Sequence, residues 1–570
     1  MSDAPTTTAA MEAGPSGDSA RNSALVAAGI LLSRLAGLVR TAAIARFLGV
    51  GAAADALQAA MRIPNLLQNL LGEGVLSASF IPVYSRLLAE GREREAGRVA
   101  GAIAGLLTAL TAALALAGVF FAEPITRVVA GGFSGDTLEL TTTLTRILFP
   151  GVGFLVLSAW CLGVLNSHRK FFLSYVAPVI WNAAQIGVLV VAGAWLMADR
   201  LAADATRERA LADLAVVLAW GVLAGGILQF AVQLPTVLRS ATSLRLSLDW
   251  RLPGVRRALR SFGPVVAGRG VVQLMIYVDI ALASLLSEGS LSALEYATRL
   301  SLLPISLFGM SAAASELPEL SALGDDERER AGRRLAPTLA RIAFYVVPTI
   351  VGFVVLGDLL YGLLLPPLAA QLVWFVLIGS SVGLLSNTSS RLLQSALYAI
   401  GDTRAPARFA IARVVLAALL GALLMLQFDR VTLTDTGFAL SGSLPAFTPL
   451  PPAERATDPD TVMRLGAVGL ALAGGMTSWL EFALLRRYLV RRRGLSPRVG
   501  GGALLRTVVP GVIAGAAGVG VRLAVAGQAL VWQALAVGLT IVVVYGLLAR
   551  AVGLPEARQL VGMLRGRLRR

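Results

Sequence analysis

The sequence predicts an all-α polytopic membrane protein of about fourteen transmembrane helices. They form two pseudo-symmetric six-helix lobes around a central cationic cavity, with two extra helices at the C-terminal end. Three observations predict this: sustained apolar composition, arginines that alternate between successive loops, and an internal repeat. The chain has 570 residues, 56% hydrophobic and 15% charged, with a mean hydropathy of +0.73. Apolar runs of about 20 residues recur along nearly its whole length, and a helix of that length crosses a bilayer core. A water-soluble chain of this size alternates polar and apolar stretches instead.

Residues 1–22 open in an Ala/Ser/Thr/Pro/Gly-rich stretch and read as a disordered cytoplasmic tail. They lack the basic start and short apolar core of a cleavable signal, so the first span is expected to be retained. Spans are expected at 24–48, 56–88, 99–121, 138–166, 171–197 and 210–238, which make an N-terminal lobe over 23–240. Those at 256–287, 291–321, 333–357, 368–399, 406–428 and 462–489 make a C-terminal lobe over 241–490. The last two, at 502–524 and 528–551, fall within 491–552. The stretch 429–461 contains "GSLPAFTPLPPAERATDPD" and reads as an unpacked external Pro-rich loop. The tail 553–570 places Leu560, Val561, Leu564 and Leu568 at helical spacing among five arginines, the pattern of a cytoplasmic amphipathic helix on anionic lipid.

Loop charge fixes the orientation. The loops "RLLAEGREREAGR" (86–98), "HRK" (168–170), 239–260, "DDERERAGRR" (325–334), "GDTRAPAR" (401–408) and "RRYLVRRRGLSPR" (486–498) are basic. The intervening loops near 50–55, 122–136, 288–291 and 357–367 carry almost no arginine, while 199–209 and 429–464 mix arginines with acids. This alternation places both termini in the cytoplasm.

Composition also excludes several functions. The net charge of +16 sits largely in short loops, so no nucleic-acid partner is expected. One cysteine (Cys161) and one histidine (His168) leave no disulfide framework, metal cluster or Cys/His catalytic pair. Lys170 is the one lysine, and its neighbours cannot form the phosphate-binding loop of an ATPase. No metal, no cofactor and no catalytic constellation are expected, so the protein should bind and move a ligand without being an enzyme.

The repeat lies in the second helix of each lobe. "AMRIPNLLQNLLGEGVLSASFIPVYSRLLAEGREREAGR" (60–98) resembles "ATRLSLLPISLFGMSAAASELPELSALGDDERERAGRR" (297–334). Arg62 aligns with Arg299 and Pro82 with Pro318. Both copies start outside and end inside, so the halves are related in parallel.

Charges inside the spans mark the candidate site. A mid-membrane arginine costs about 2.5–3.5 kcal/mol on the insertion scale. The first span carries Arg34, Arg40 and Arg46. Residues six apart are rotated by about 240°, so the three cannot share one stripe of a straight helix. Arg46 lies near the outer end and can snorkel to the interface. Arg62 and Glu73 follow on the second span with Asp55 at its outer mouth, then Arg269, Asp279, Arg299 and Arg391. Arg62–Glu73 pairing is the plain alternative, but arginines outnumber the acids. A net cationic midplane site suits an anion, and guanidinium suits phosphate through bidentate hydrogen bonds.

The stretch 31–85, with "SRLAGLVR", "ADA", "IPNLL" and "EG…FIP", resembles the MurJ/MviN lipid II flippases of the MOP transporter superfamily. The resemblance extends through "LNSHRKFFLSYVAPVIWN" (165–182) and "ATRLSLLP". It implies fourteen helices, two lobes and a cationic cavity. Ser33, Arg34, Arg40, Asp55 and Arg299 match positions the family relies on for function. Four positions depart from the family pattern. Thr41 and Gln68 stand where relatives have Asp and Arg, and Thr298 and Leu302 replace acids beside Arg299. Arg269 is a candidate to replace the missing charge.

The expected function is translocation of an undecaprenyl-pyrophosphate-linked peptidoglycan precursor by alternating access, driven by membrane potential or an ion gradient. Ser33, Arg34, Arg40, Arg62, Arg269, Arg299 and Arg391 are the expected substrate-binding residues, with Asp55, Glu73 and Asp279 gating or ion-pairing. Asp55 and Asp279 are the candidates for any coupling ion. Membrane phospholipids and cell-wall synthesis proteins are the further partners considered. Three alternatives stay open: a flippase for another polyprenyl-linked glycan, a cation or drug antiporter of the same superfamily, and a non-transporting cell-wall scaffold.

Overall fold

The computed structural model describes residues 17–200, 204–321, 328–495 and 501–559. Among these residues nineteen α-helices dominate. In the first half they are α1 (Gly17–Leu48), α2 (Ala52–Leu71), α3 (Glu73–Ser79), α4 (Ile81–Ala89), α5 (Glu93–Phe120), α6 (Ala122–Val129), α7 (Gly135–Ser167), α8 (Phe171–Arg200) and α9 (Asp204–Ser240). Then come α10 (Pro253–Ser284), α11 (Ser290–Pro304), a π-helical turn (Ile305–Met310) and α12 (Ser311–Ser321). The remainder are α13 (Arg328–Gly362), α14 (Pro367–Ser381), α15 (Leu384–Ala399), α16 (Arg404–Phe428), α17 (Gly466–Arg493), α18 (Gly501–Ala524) and α19 (Leu530–Ala551).

Among the described residues, eleven helical stretches are long and apolar enough to cross a membrane, and the bent pair α14–α15 adds a twelfth. The two 32-residue helices α1 and α10 are also long enough to cross. They occupy the other two of the fourteen expected places. The second span of each half is interrupted: Ala52–Ala89 breaks at Gly72 and Phe80, and Ser290–Ser321 passes through the π-helical turn. A Cβ at Gly72 would lie 2.3 Å from Gln68 O, so the break needs a residue without a side chain.

The chain packs as two compact units. Of the described residues, the first holds those up to 44, 60–126 and 138–274; the second holds 45–59, 127–137 and those from 275 onward. In the first unit Phe80, Tyr84, Val99, Val156, Trp160 and Val164 belong to one apolar core. Gly97, Gly101 and Gly105 let the chain at 243–247 lie against α5, where Ser247 N donates to Gly101 O at 3.4 Å. In the second unit one core joins Ala59, Ala130, Ile280, Leu286 and Met425, and another joins Phe344, Val537, Ile541 and Tyr545. This packing division follows contacts, whereas the lobes at 23–240 and 241–490 follow the repeat.

Two expectations need correction. The tail expected over 1–22 is already helical from Gly17, because α1 extends past its apolar run. The stretch 429–461 is not unpacked. It contributes β1 (Val431–Thr434) and β2 (Gly437–Leu440), which form a three-stranded antiparallel sheet with β3 (Val462–Arg464), in the order β2-β1-β3. Leu433, Leu450 and Met463 are buried there. The stretch is tied down by Arg455, whose Nη1 donates to Gly132 O at 2.8 Å, and by Thr457 Oγ1, which donates to Glu288 O at 2.9 Å. Buried Asp429 accepts from Ser287 Oγ at 3.3 Å, and burial raises its carboxyl above the ordinary value. The period-two alternation of "VTLTDTGFAL" carries this sheet beneath the proline-rich composition. Of the expected tail helix, 560–570 lie outside the described residues.

Candidate functional site

In the first unit, α1 turns its charges to different faces, as their spacing requires. Arg34 is exposed and Ser33 half-buried, while Arg40 is 7% exposed. The Arg40 guanidinium lies over the Trp181 ring of α8, with Cζ 4.9 Å from its centroid, a cation–π contact. Gly37, one turn earlier, lies near Asn182 of α8, and a Cβ there would make only ordinary contact, 4.0 Å from Asn182 Oδ1. Thr41 Oγ1 donates to Gly37 O at 3.0 Å, so this hydroxyl serves its own helix.

Arg62 is half-buried on α2. Beyond it a crevice is lined by Met61, Pro64, Asn65, Gln68, Trp181 and Val222, among others. Gln68 therefore stands on its wall. Trp181 borders both this crevice and Arg40, so α8 joins the two features. The side chains of Glu73 and Arg269 lie outside the described residues, although the backbone places them on α3 and α10.

In the second unit, Asp55 is 3% exposed. Its carboxylate accepts from Gly289 N at 2.8 Å and Ser292 N at 2.6 Å. Gly289 has φ +84°, in the left-handed region, just before α11 begins. Asp55 thus caps the N-terminus of α11, where free amides and the helix dipole favour an anion. Tyr296 continues the same joint by donating to Gly49 O at 2.9 Å, and Tyr361 donates to Tyr296 O at 3.0 Å.

Arg299 sits on α11 with a side chain 40% exposed, and its Nε lies 3.8 Å from Glu295 Oε2. Glu295 thus stands one helical turn before Arg299 as its acidic neighbour. Arg391 and Asp279 are exposed. Near Arg391, buried Glu481 of α17 accepts from Gln394 Nε2 at 2.8 Å and Arg413 Nη1 at 2.9 Å. Glu295, Arg413 and Glu481 were not singled out from the sequence. Their signal was available as charges inside apolar spans, and for Glu295 as i,i+4 spacing to Arg299.

A family model described as lipid II flippase MurJ matches residues 44–448, most of the chain. The chain belongs to the MurJ family. The matched range includes Asp55, Arg62, Arg299 and Arg391; Ser33, Arg34 and Arg40 lie just before it. A probable lipid II flippase MurJ of Vibrio cholerae is 29% identical over 438 residues, covering 74% of this chain and 80% of the relative. One from Bdellovibrio bacteriovorus is 30% identical over 424 residues, covering 72% and 78%. A solved MurJ structure in an inward closed conformation aligns with TM-score 0.68 at 20% identity, over 94% of this chain and 100% of that one. An inward-facing MATE multidrug transporter of the MOP superfamily aligns with TM-score 0.57 at 16% identity, over 80% and 96%. Both structures share the fold. The family and the many apolar helices make this a multi-pass membrane protein.

Proposed function

We propose that the protein translocates the undecaprenyl-pyrophosphate-linked peptidoglycan precursor, lipid II, from the inner to the outer leaflet by alternating access. The observation that carries this reading is the MurJ family match over 44–448, which takes in Asp55, Arg62 and Arg299. In this reading Arg34, Arg40 and Arg299 bind the pyrophosphate, because guanidinium supplies paired donors to phosphate oxygens. Ser33, Arg62, Arg269 and Arg391 add donors and positive charge. The polyprenyl tail stays in lipid while the sugars occupy water.

Loop charge supports an orientation with both termini in the cytoplasm. On that orientation the Asp55 cap, the α10–α11 turn and the packed 429–465 stretch form the outer closure, and the loaded state opens inward. Release then requires the Asp55 joint to part. With the cytoplasm negative, outward movement of an anion gains about 2.3 kcal/mol per charge per 100 mV. Potential alone is physically adequate, and Asp55 or Asp279 is the candidate acid for any coupled ion. The test is complementation of a flippase-depleted bacterium, scored by accessibility of lipid II to an external probe. Restored external lipid II is the expected result; growth failure with normal membrane expression contradicts it.

A further inference from the structure

The connection between α16 and α17 carries an apolar surface that its strand register sorts onto one face. Val431 lies opposite Leu440, and Leu433 lies opposite both Phe438 and Met463. These five side chains therefore share a face, while Thr432, Thr434, Ala439 and Arg464 share the other. The apolar face is covered on the β3 and β1 side, where Met463 and Leu433 are 0% and 2% exposed. At the edge strand β2 it is bare. Phe438 is 62% and Leu440 57% exposed, and the chain beyond adds Leu444 at 49% and Phe447 at 72%.

Two attachments set the level of this surface along the helices. The Phe438 ring lies 5.7 Å from that of Phe375, which is eight residues, about 12 Å of rise, into α14. In the last turn of α16, the Gln427 side chain donates to Ala446 O at 2.6 Å and accepts from Ala446 N at 2.9 Å. That clamp holds Phe447 beside the end of α16. One and two turns back, α16 exposes Leu423 and Leu419, and its apolar window is only 11% buried. The bare patch continues the lipid-facing stripe of a membrane helix, which identifies its occupant by continuity.

We propose that the β1–β2 hairpin and the segment through Phe447 are seated at the boundary between lipid headgroups and acyl chains, with Phe438, Leu440, Leu444 and Phe447 in contact with lipid. The depth is bounded from both sides. The outer edge of β2 presents backbone groups that need water, so the hairpin stays out of the hydrocarbon centre. The exposed aromatic and leucine side chains keep it out of bulk water, as in interfacial anchors. The turn residues Asp435 and Thr436 are exposed and face the aqueous side.

The test uses full-length protein in phospholipid vesicles, with Cys161→Ala removing the native buried thiol. Single cysteines, Phe438→Cys, Phe447→Cys and Asp435→Cys, each carry an environment-sensitive fluorophore. At 438 and 447, aqueous iodide should quench several-fold less than at 435, and lipid spin-labelled near the glycerol should quench strongly. Iodide quenching at either position equal to that at 435 overturns the proposal. So does shielding from iodide without quenching by spin-labelled lipid, which would mean that protein covers the patch. If Phe438→Cys fails to fold, Phe447→Cys, at the more exposed position, decides the question. The outcome does not depend on what the protein carries.

Discussion

The second span of each half starts from the same pattern and arrives at different local chemistry. In the first half Arg62 follows Asp55 by seven residues, and Asp55 is directed at the backbone amides of Gly289 and Ser292. In the second, Arg299 follows Glu295 by four residues, and the two form an ion pair on one helix face. The breaks differ as well: a glycine whose Cβ would strike a carbonyl in one, a π-helical turn after Pro304 in the other. The repeat thus keeps the cation and the interruption but reassigns the acid. One acid closes a joint between helices; the other tempers the arginine beside it. A charge count along the chain treats the two acids alike, and only their partners separate a structural role from an electrostatic one.

The largest effect that would break this comparison is on transport. Replacing Arg299 by Ala should lower external lipid II in depleted cells about tenfold to a hundredfold, the loss expected for charge-assisted hydrogen bonds to an anion. If Arg62→Ala alone reproduced that loss while Arg299→Ala left export intact, the two arginines would have the reverse roles. Next, Asp55→Ala should destabilise the folded protein by about 1–2 kcal/mol, as the loss of a helix cap does. Asp55→Asn, which keeps an acceptor, should lose less; thermal unfolding in lipid nanodiscs reads both. Removing the tempering acid is milder. Because Arg299 is 40% exposed, Glu295→Gln should change stability by less than about 1 kcal/mol and raise affinity for a pyrophosphate-headed lipid by up to about fivefold.

The smallest expected effect tests a joint away from the arginines. His168 shares a hydrogen bond with Tyr84 Oη at 2.9 Å. Burial, then Lys170, hold its imidazole below the ordinary value, partly offset by Glu93. The unfolded chain therefore takes up the proton first, as pH falls through about 6.5. Stability should accordingly decline with falling pH from that point. His168→Gln should flatten that slope between about pH 6.5 and 5, read as the unfolding midpoint against pH.

Much of this was legible in the sequence, for identifiable reasons. Span positions follow from apolar length, and the interrupted second spans sit where the repeat lies. The separation of Arg34 from Arg40 onto different faces follows from helical rotation alone. What was missed depends on contacts between distant segments. Asp55 has backbone partners more than 230 positions away, which no side-chain pattern announces. The Glu481–Arg413–Gln394 network joins three helices, and each charge alone looks like an isolated cost. The sheet at 431–464 was hidden because prolines between its strands outweighed the alternation within them.

The central claim is that arginines from both halves hold the pyrophosphate. Its most direct test is the double variant Arg34→Ala/Arg299→Ala in flippase-depleted cells, expressed at the level of the unaltered protein. External accessibility of lipid II is the quantity to measure. The account predicts that accessibility falls to the level of depleted cells without the protein. Export equal to that of the unaltered protein would contradict it.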